Sequence, residues 1–110
     1  MANMKKWMKK KIEFDSFKNV KNKTSTKTFI AFEQEDDEDL VLGLITSSKV
    51  GGAVYRNNIR RVVKEFYRGY NFKSNKKVLL VFKRNLEQKY SIKEIKKMVA
   101  LDLENFFNKH

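Results

Sequence analysis

The chain has no cysteine and no proline, one histidine and four glycines in 110 residues. Without cysteine there is no disulfide framework, no cysteine-based zinc site and no thiol chemistry. The histidine is the last residue, His110, so no Ser-His-Asp set can be assembled. The longest uninterrupted apolar run, Val78-Leu79-Leu80-Val81-Phe82, is far too short to span a bilayer. The N-terminus is basic but lacks the apolar core of a signal peptide, so a cytoplasmic protein with no membrane partner is expected. Internal repeats and interdomain linkers are also missing. Acidic residues are scarce, 13 against 25 Lys and Arg, and six of them stand in the single run Glu33 to Asp39, EQEDDED. A carboxylate run without glycine geometry or a nearby histidine is a poor site for metal binding or proton transfer. It reads as a solvated hairpin loop whose charge keeps that end of the molecule away from a polyanion. No dispersed carboxylate set suits two metals. A nuclease active site in this chain alone is therefore not expected.

What is present is aromatic and basic. Nine Phe, four Tyr and one Trp supply core volume, and the formal charge is +12 with a pI near 9.9. A domain of this length buries roughly two-thirds of its unfolded surface in one core. So high a charge opposes folding by self-repulsion, and a polyanionic partner is the simplest reason to tolerate it. Residues 1–11, MANMKKWMKKK, read as a basic arm, disordered by default and in occasional contact with RNA; residues 12–110 read as one domain.

From Ile12 to Lys21 the spacing of Phe14, Phe17 and Val20 predicts a short helix, ended by Asn19, Asn22 and the Thr24-Ser25-Thr26 cluster. Thr28 to Phe32 reads as a strand with Thr28, Ile30 and Phe32 on one face and Phe29 and Ala31 on the other. Leu40 to Thr46 and Lys77 to Phe82 read as buried strands, with Gly43 marking a bulge or close packing. Residues 91–108 predict a helix with Ser91 as N-cap, Glu94 as its capping-box partner, and Tyr90 and Ile95 as a hydrophobic staple. Its expected core face is Ile92, Ile95, Val99, Leu103, Phe106 and Phe107. The element order predicts an α+β sandwich, helices packed on a small mixed sheet.

The informative stretch is Lys49 to Tyr70, KVGGAVYRNNIRRVVKEFYRGY, which holds four of the five arginines. On a helix over residues 55–70, Tyr55, Ile59, Val62, Val63, Phe66 and Tyr70 fall within one arc roughly 100° wide. Arg56, Asn57, Arg60, Arg61, Lys64 and Arg68 fill a separate arc roughly 140° wide, with Glu65 at its border. A solvated face is served equally well by Lys and Glu, whereas this one is rich in arginine and lacks acids. Arginine is favoured where a planar fork must meet phosphate oxygens. Tyr67 lies inside the basic arc, where its ring is placed to stack on a base or sugar. Gly51 and Gly52 let the chain enter the helix tightly and leave backbone N–H groups at its positive end, a candidate phosphate seat.

The run Lys49-Val50-Gly51-Gly52-Ala53-Val54-Tyr55-Arg56-Asn57-Asn58-Ile59-Arg60-Arg61 resembles the signature of the bacterial ribonuclease P protein subunit, roughly K-x-G-x-A-V-x-R-N-x-I-K/R-R. Three positions depart from it: Ser48 where lysine is frequent, Gly52 where asparagine is common and Asn58 where a basic residue is frequent. The resemblance covers nearly the whole chain. It implies a left-handed crossover joining neighbouring parallel strands through the central helix, which general handedness rules would not predict. It also implies that the RNA subunit is the catalyst. That RNA hydrolyses precursor tRNA at the mature 5′ end with magnesium ions, while the protein assists binding and needs no cofactor of its own. By the same resemblance, Arg56, Asn57, Arg60 and Arg61 contact the catalytic RNA, with Lys49, Lys64 and Arg68 extending the strip. Phe17 and Phe32 match aromatic positions of a cleft that binds the 5′ leader, and Phe14 is a neighbouring candidate. Plain core packing is the other role open to these three rings. No protein partner is implied. The competing reading is a stand-alone RNA- or ribosome-binding module without a processing role. A DNA-binding domain ranks third, because no helix stands at helix-turn-helix spacing before the central one.

Overall fold

In the computed structural model of the protein, residues 5–7, 22–35, 40–70 and 76–109 are described. The expected first helix, with Phe14 and Phe17, lies outside them, as do residues 36–39 of the acidic run and His110. Five strands, β1 (Lys5–Trp7), β2 (Lys23–Ser25), β3 (Phe29–Glu35), β4 (Leu40–Ile45) and β5 (Lys76–Phe82), form one sheet in the order β1-β4-β5-β3-β2. Among the described residues, three helices accompany it: α1 (Ala53–Gly69), α2 (Leu86–Lys89) and α3 (Ile92–Lys109). The sheet is mixed. β4 and β5 are parallel and joined through α1, while β3 runs antiparallel to β5 and to β2. This is the expected α+β architecture.

Strand alternation divides the apolar residues between the two faces. Phe29 and Ala31 of β3, Leu42 of β4, and Val78, Leu80 and Phe82 of β5 enter one buried cluster. From the helices come Tyr55, Ile59, Val63 and Tyr67 of α1, Leu86 of α2, and Ile95, Val99, Leu103 and Phe106 of α3. The opposite face carries a smaller cluster of Val41 and Leu79, with Phe32 and Val81 half-buried beside them. The register sets Phe32 opposite Leu79 and Leu79 beside Gly43. β4 passes through Gly43 in unbroken register, so no bulge forms there.

Four local readings are corrected. Thr24 and Ser25 form edge strand β2, not a mere terminator, because the Thr26 hydroxyl closes a tight turn to β3. That hydroxyl donates to Phe29 O (2.9 Å) and accepts the Phe29 N–H (3.0 Å). Lys5 to Trp7 pairs in parallel with β4, whose outer edge offers open backbone groups. β3 runs on into the acidic stretch: Glu33 is a strand residue whose carboxylate meets Lys76 Nζ on β5 at 3.4 Å. Ile92, expected in the core, is 37% exposed at the first turn of α3, while Ile95 three residues on is fully buried.

α3 begins as its sequence predicts. The Ser91 N–H donates to Glu94 Oε1 (3.0 Å) and the Glu94 N–H to Ser91 Oγ (3.1 Å), a reciprocal capping box. Hydrogen bonding of the carboxyl to Ser91, through its backbone N–H first and its hydroxyl second, holds Glu94 below its usual value. Farther along, Asp102 Oδ2 accepts from the Thr28 hydroxyl (2.7 Å) and N–H (3.1 Å), tying α3 to the start of β3. Among the described residues, no helix is long and apolar enough to cross a membrane.

Candidate nucleic-acid interface

α1 is held from two sides. Tyr55, Ile59, Val63 and Tyr67, one residue per turn, are its buried set. Beside them Phe66 stacks on Tyr70 (ring centroids 4.8 Å apart) and on Phe107 of α3 (5.7 Å). The Tyr70 hydroxyl donates to Asn108 Oδ1, and the Tyr55 hydroxyl donates to Tyr90 O at 2.9 Å. Burial first, and then the carboxylates of Glu87 and Glu94, push the Tyr55 phenol up to about 12. This two-sided seating corrects one expected site residue. Tyr67 is 2% exposed, so it belongs to the core and not to a stacking surface. The apolar arc alone describes a helix with one docking face. The buried arc of α1 is centred nearer position 67 than the apolar pattern alone describes, while Phe66 and Tyr70 are half-buried against α3.

Five residues of the rest of the strip lie outward, and two are partly covered. Asn57, Arg61, Lys64 and Arg68 are exposed, and Lys49 is exposed in the turn before the helix. Arg56 and Arg60 are half-buried and braced. Arg56 Nε donates to Gly51 O at 3.1 Å, and Arg60 Nη1 donates to Asn57 Oδ1 at 2.7 Å. Each bond uses one corner of a guanidinium and leaves the rest of the fork for another acceptor. Val54, inside the motif but outside the expected apolar arc, is 67% exposed. It precedes Asn57 by three residues and Arg61 by seven, which places an apolar spot at the border of the basic strip.

The helix entrance differs from expectation. Gly52 is the N-cap, and its N–H donates to Glu87 Oε1 at 2.7 Å. A carboxylate of the protein thus takes the Gly52 N–H, one of the groups that the two glycines were expected to offer a phosphate. The loop behind is pinned as well: the Asn85 N–H donates to Lys49 O (2.8 Å) and the Glu87 N–H to Val50 O (3.2 Å). Asn85 takes the left-handed conformation (φ 62°) that starts α2 and turns Glu87 toward α1. Sequence reading missed Glu87, since its partner lies 35 residues away. The one local signal is an Asn three residues past β5 and just before Leu-Glu, a left-handed corner opening a helical turn.

Phe32 lies on the other face of the sheet, among Val41, Leu79 and Val81. The basic strip and Phe32 are therefore separate surfaces with the sheet between them. Near the β2–β3 turn an open pocket of about 490 Å³ is lined by Thr24, Ser25, Thr26, Lys83, Asp102 and Phe106 among others. Among the described residues, no group of three His, Cys, Asp or Glu side chains could hold a metal ion.

A small α+β protein with an arginine-rich helix face braced at its entrance is the class that this geometry defines. A model of the Ribonuclease P family matches residues 3–109. The chain belongs to the ribonuclease P protein family. It is 40% identical over 60 residues to the ribonuclease P protein component of Geotalea uraniireducens (strain Rf4), a match covering 54% of this chain and 53% of the relative. With that of Bacillus pumilus (strain SAFR-032) identity is 27% over 81 residues, 70% of this chain and 68% of the relative. The chain thus spans about half the length of the first curated relative it matches. Among solved structures, the Staphylococcus aureus RNase P protein superposes with a TM-score of 0.71 at 20% identity, covering 92% of this chain and 96% of that one. The Thermotoga maritima RNase P protein gives 0.68 at 16% identity, with 89% and 91% covered. At such identities the structures speak for the fold.

Proposed function

We propose that this chain is the protein subunit of a ribonuclease P ribonucleoprotein. In this reading α1 docks on the catalytic RNA through Lys49, Arg56, Asn57, Arg60, Arg61, Lys64 and Arg68. The holoenzyme removes the 5′ leader of precursor tRNA by magnesium-dependent hydrolysis in the cytoplasm. The observation that supports this best is the braced strip: family membership and a one-sided row of guanidinium groups meet on the same helix. Arg56 and Arg60 each have one corner held by the protein, so the fork is partly ordered before a phosphate arrives, which lowers the entropy lost on binding.

Magnesium in this reading belongs with the RNA and carries the hydrolysis. The protein supplies charge neutralisation and positioning. Phe32 is the described member of the leader-binding surface, half-buried on the face opposite α1, where an extended single strand would stack with little sequence preference. Phe14 and Phe17 complete that surface in the reading.

The test is reconstitution. The chain is added to a bacterial ribonuclease P RNA and precursor tRNA at low magnesium, where RNA alone cleaves slowly. Faster cleavage at the mature 5′ end is expected. RNA binding without any gain in cleavage would identify a stand-alone RNA-binding module instead.

A further inference from the structure

We propose that Glu87 is a positioning residue for the arginine strip, an inference that rests on the reading that α1 binds RNA. In a protein of formal charge +12 an acid beside the RNA-facing helix is unexpected on Coulombic grounds. Its contacts give it a task. The Glu87 carboxylate accepts the Gly52 N–H at 2.7 Å and its own N–H donates to Val50 O, so one residue grips the loop on both sides of Gly51. Gly51 O in turn accepts from Arg56 Nε, and Gly52 O accepts the Arg56 N–H at 2.9 Å. Glu87, the Gly51-Gly52 peptides and the Arg56 guanidinium therefore form one continuous hydrogen-bonded chain. The packing closes around it: a Cβ at Gly51 would lie 2.9 Å from both Glu87 Cβ and Tyr55 Cδ1. Arg56 leaves α1 at an angle set by a carbonyl that Glu87 holds still. The same bond takes up the Gly52 N–H at the helix entrance.

The experiment compares Glu87→Gln with Glu87→Met in the full chain, bound to a bacterial ribonuclease P RNA. The two variants carry the same charge and similar length, and only Gln keeps an oxygen to accept the Gly52 N–H. Positioning predicts that Glu87→Met binds about 2- to 10-fold more weakly than Glu87→Gln, the order expected when one flexible side chain must be ordered on binding and not beforehand. It further predicts that the difference disappears in an Arg56→Ala background and persists in an Arg61→Ala background. A purely electrostatic role for Glu87 makes the two variants equal, and equality overturns the proposal. Weakening that persists undiminished with Arg56→Ala makes Glu87 a fold residue only, which also overturns it. Thermal melting of each variant accompanies the titrations. If Glu87→Met does not fold, Glu87→Ala replaces it with the same two backgrounds and the same criteria. Should Arg56→Ala itself bind RNA as wild type, the reading of the strip fails, a result distinct from failure of the Glu87 inference.

Discussion

Gly51 and Gly52 stand side by side before α1, yet alanine at the two positions is expected to act very differently. A Cβ added at Gly51 would meet Glu87 Cβ, Glu87 Oε1 and Tyr55 Cδ1, each at 2.9 Å. The carboxylate oxygen is the end of a flexible side chain and can move, with loss of its bond to Gly52. The Tyr55 ring cannot move freely, because it is fully packed and its hydroxyl is anchored on Tyr90 O. Overpacking against a fixed core ring costs about 1–3 kcal/mol. For a domain of this size that lowers the melting temperature by roughly 5 to 20 °C. At Gly52 the nearest atom to an added Cβ is Glu87 Oε1 at 3.5 Å, and φ is −70°, which any residue adopts. There the gain from restricting the unfolded chain, about 0.4–1 kcal/mol, offsets the poorer N-cap that alanine makes. Melting by circular dichroism of Gly51→Ala, Gly52→Ala and wild type decides the matter. A Gly51→Ala protein that melts with wild type would refute the close packing of loop, Glu87 and Tyr55.

Arg60→Ala and Arg61→Ala should each weaken binding to ribonuclease P RNA and reduce the slope of log affinity against log salt by about 0.7–0.9 per lost phosphate contact; unchanged slopes in titrations over several salt concentrations would make the strip a solvated face. Phe32→Ala in the holoenzyme should weaken precursor tRNA by roughly 5- to 150-fold while mature tRNA binds as before. A large drop in melting temperature without leader selectivity would instead make Phe32 a core ring. The raised phenol of Tyr55 ties stability to alkaline pH: the neutral hydroxyl favours the fold, so its contribution is complete below about 10 and is lost as pH rises toward about 12. Chemical denaturation at several alkaline pH values should show wild-type stability falling through that window, and Tyr55→Phe, which has no phenol to ionise, falling less.

What was legible in the chain was local or periodic. The capping box of α3 could be read because Ser91 and Glu94 are three residues apart, and it forms with both bonds in place. The alternation in β3 assigned Phe29 and Phe32 to opposite faces correctly, since the pleat leaves no choice once the strand exists. Contacts set by the third dimension were not legible. Tyr67 was misplaced because the periodicity of one helix carries no information about a second helix pressing on its flank. Glu87 was overlooked because nothing in its own surroundings points to Gly52. The Thr-Ser cluster does not declare a strand by itself, because Thr and Ser serve turns and edge strands alike, and only pairing with β3 separates the two uses.

The strand order has a consequence for how the molecule comes into being. β3 and β4 are neighbours in the chain but not in the sheet, for β5, translated after α1, is inserted between them. Until β5 has left the ribosome, both strands keep an unpaired edge and the arginine helix has no complete sheet to lie on. A sheet closed by its last central strand depends on pairings far apart in sequence, the topology that folds slowly. Open edges and uncovered Phe29 and Leu42 make the nascent chain prone to association during that interval. The helix that carries the basic strip becomes a rigid surface only when β5 slots home.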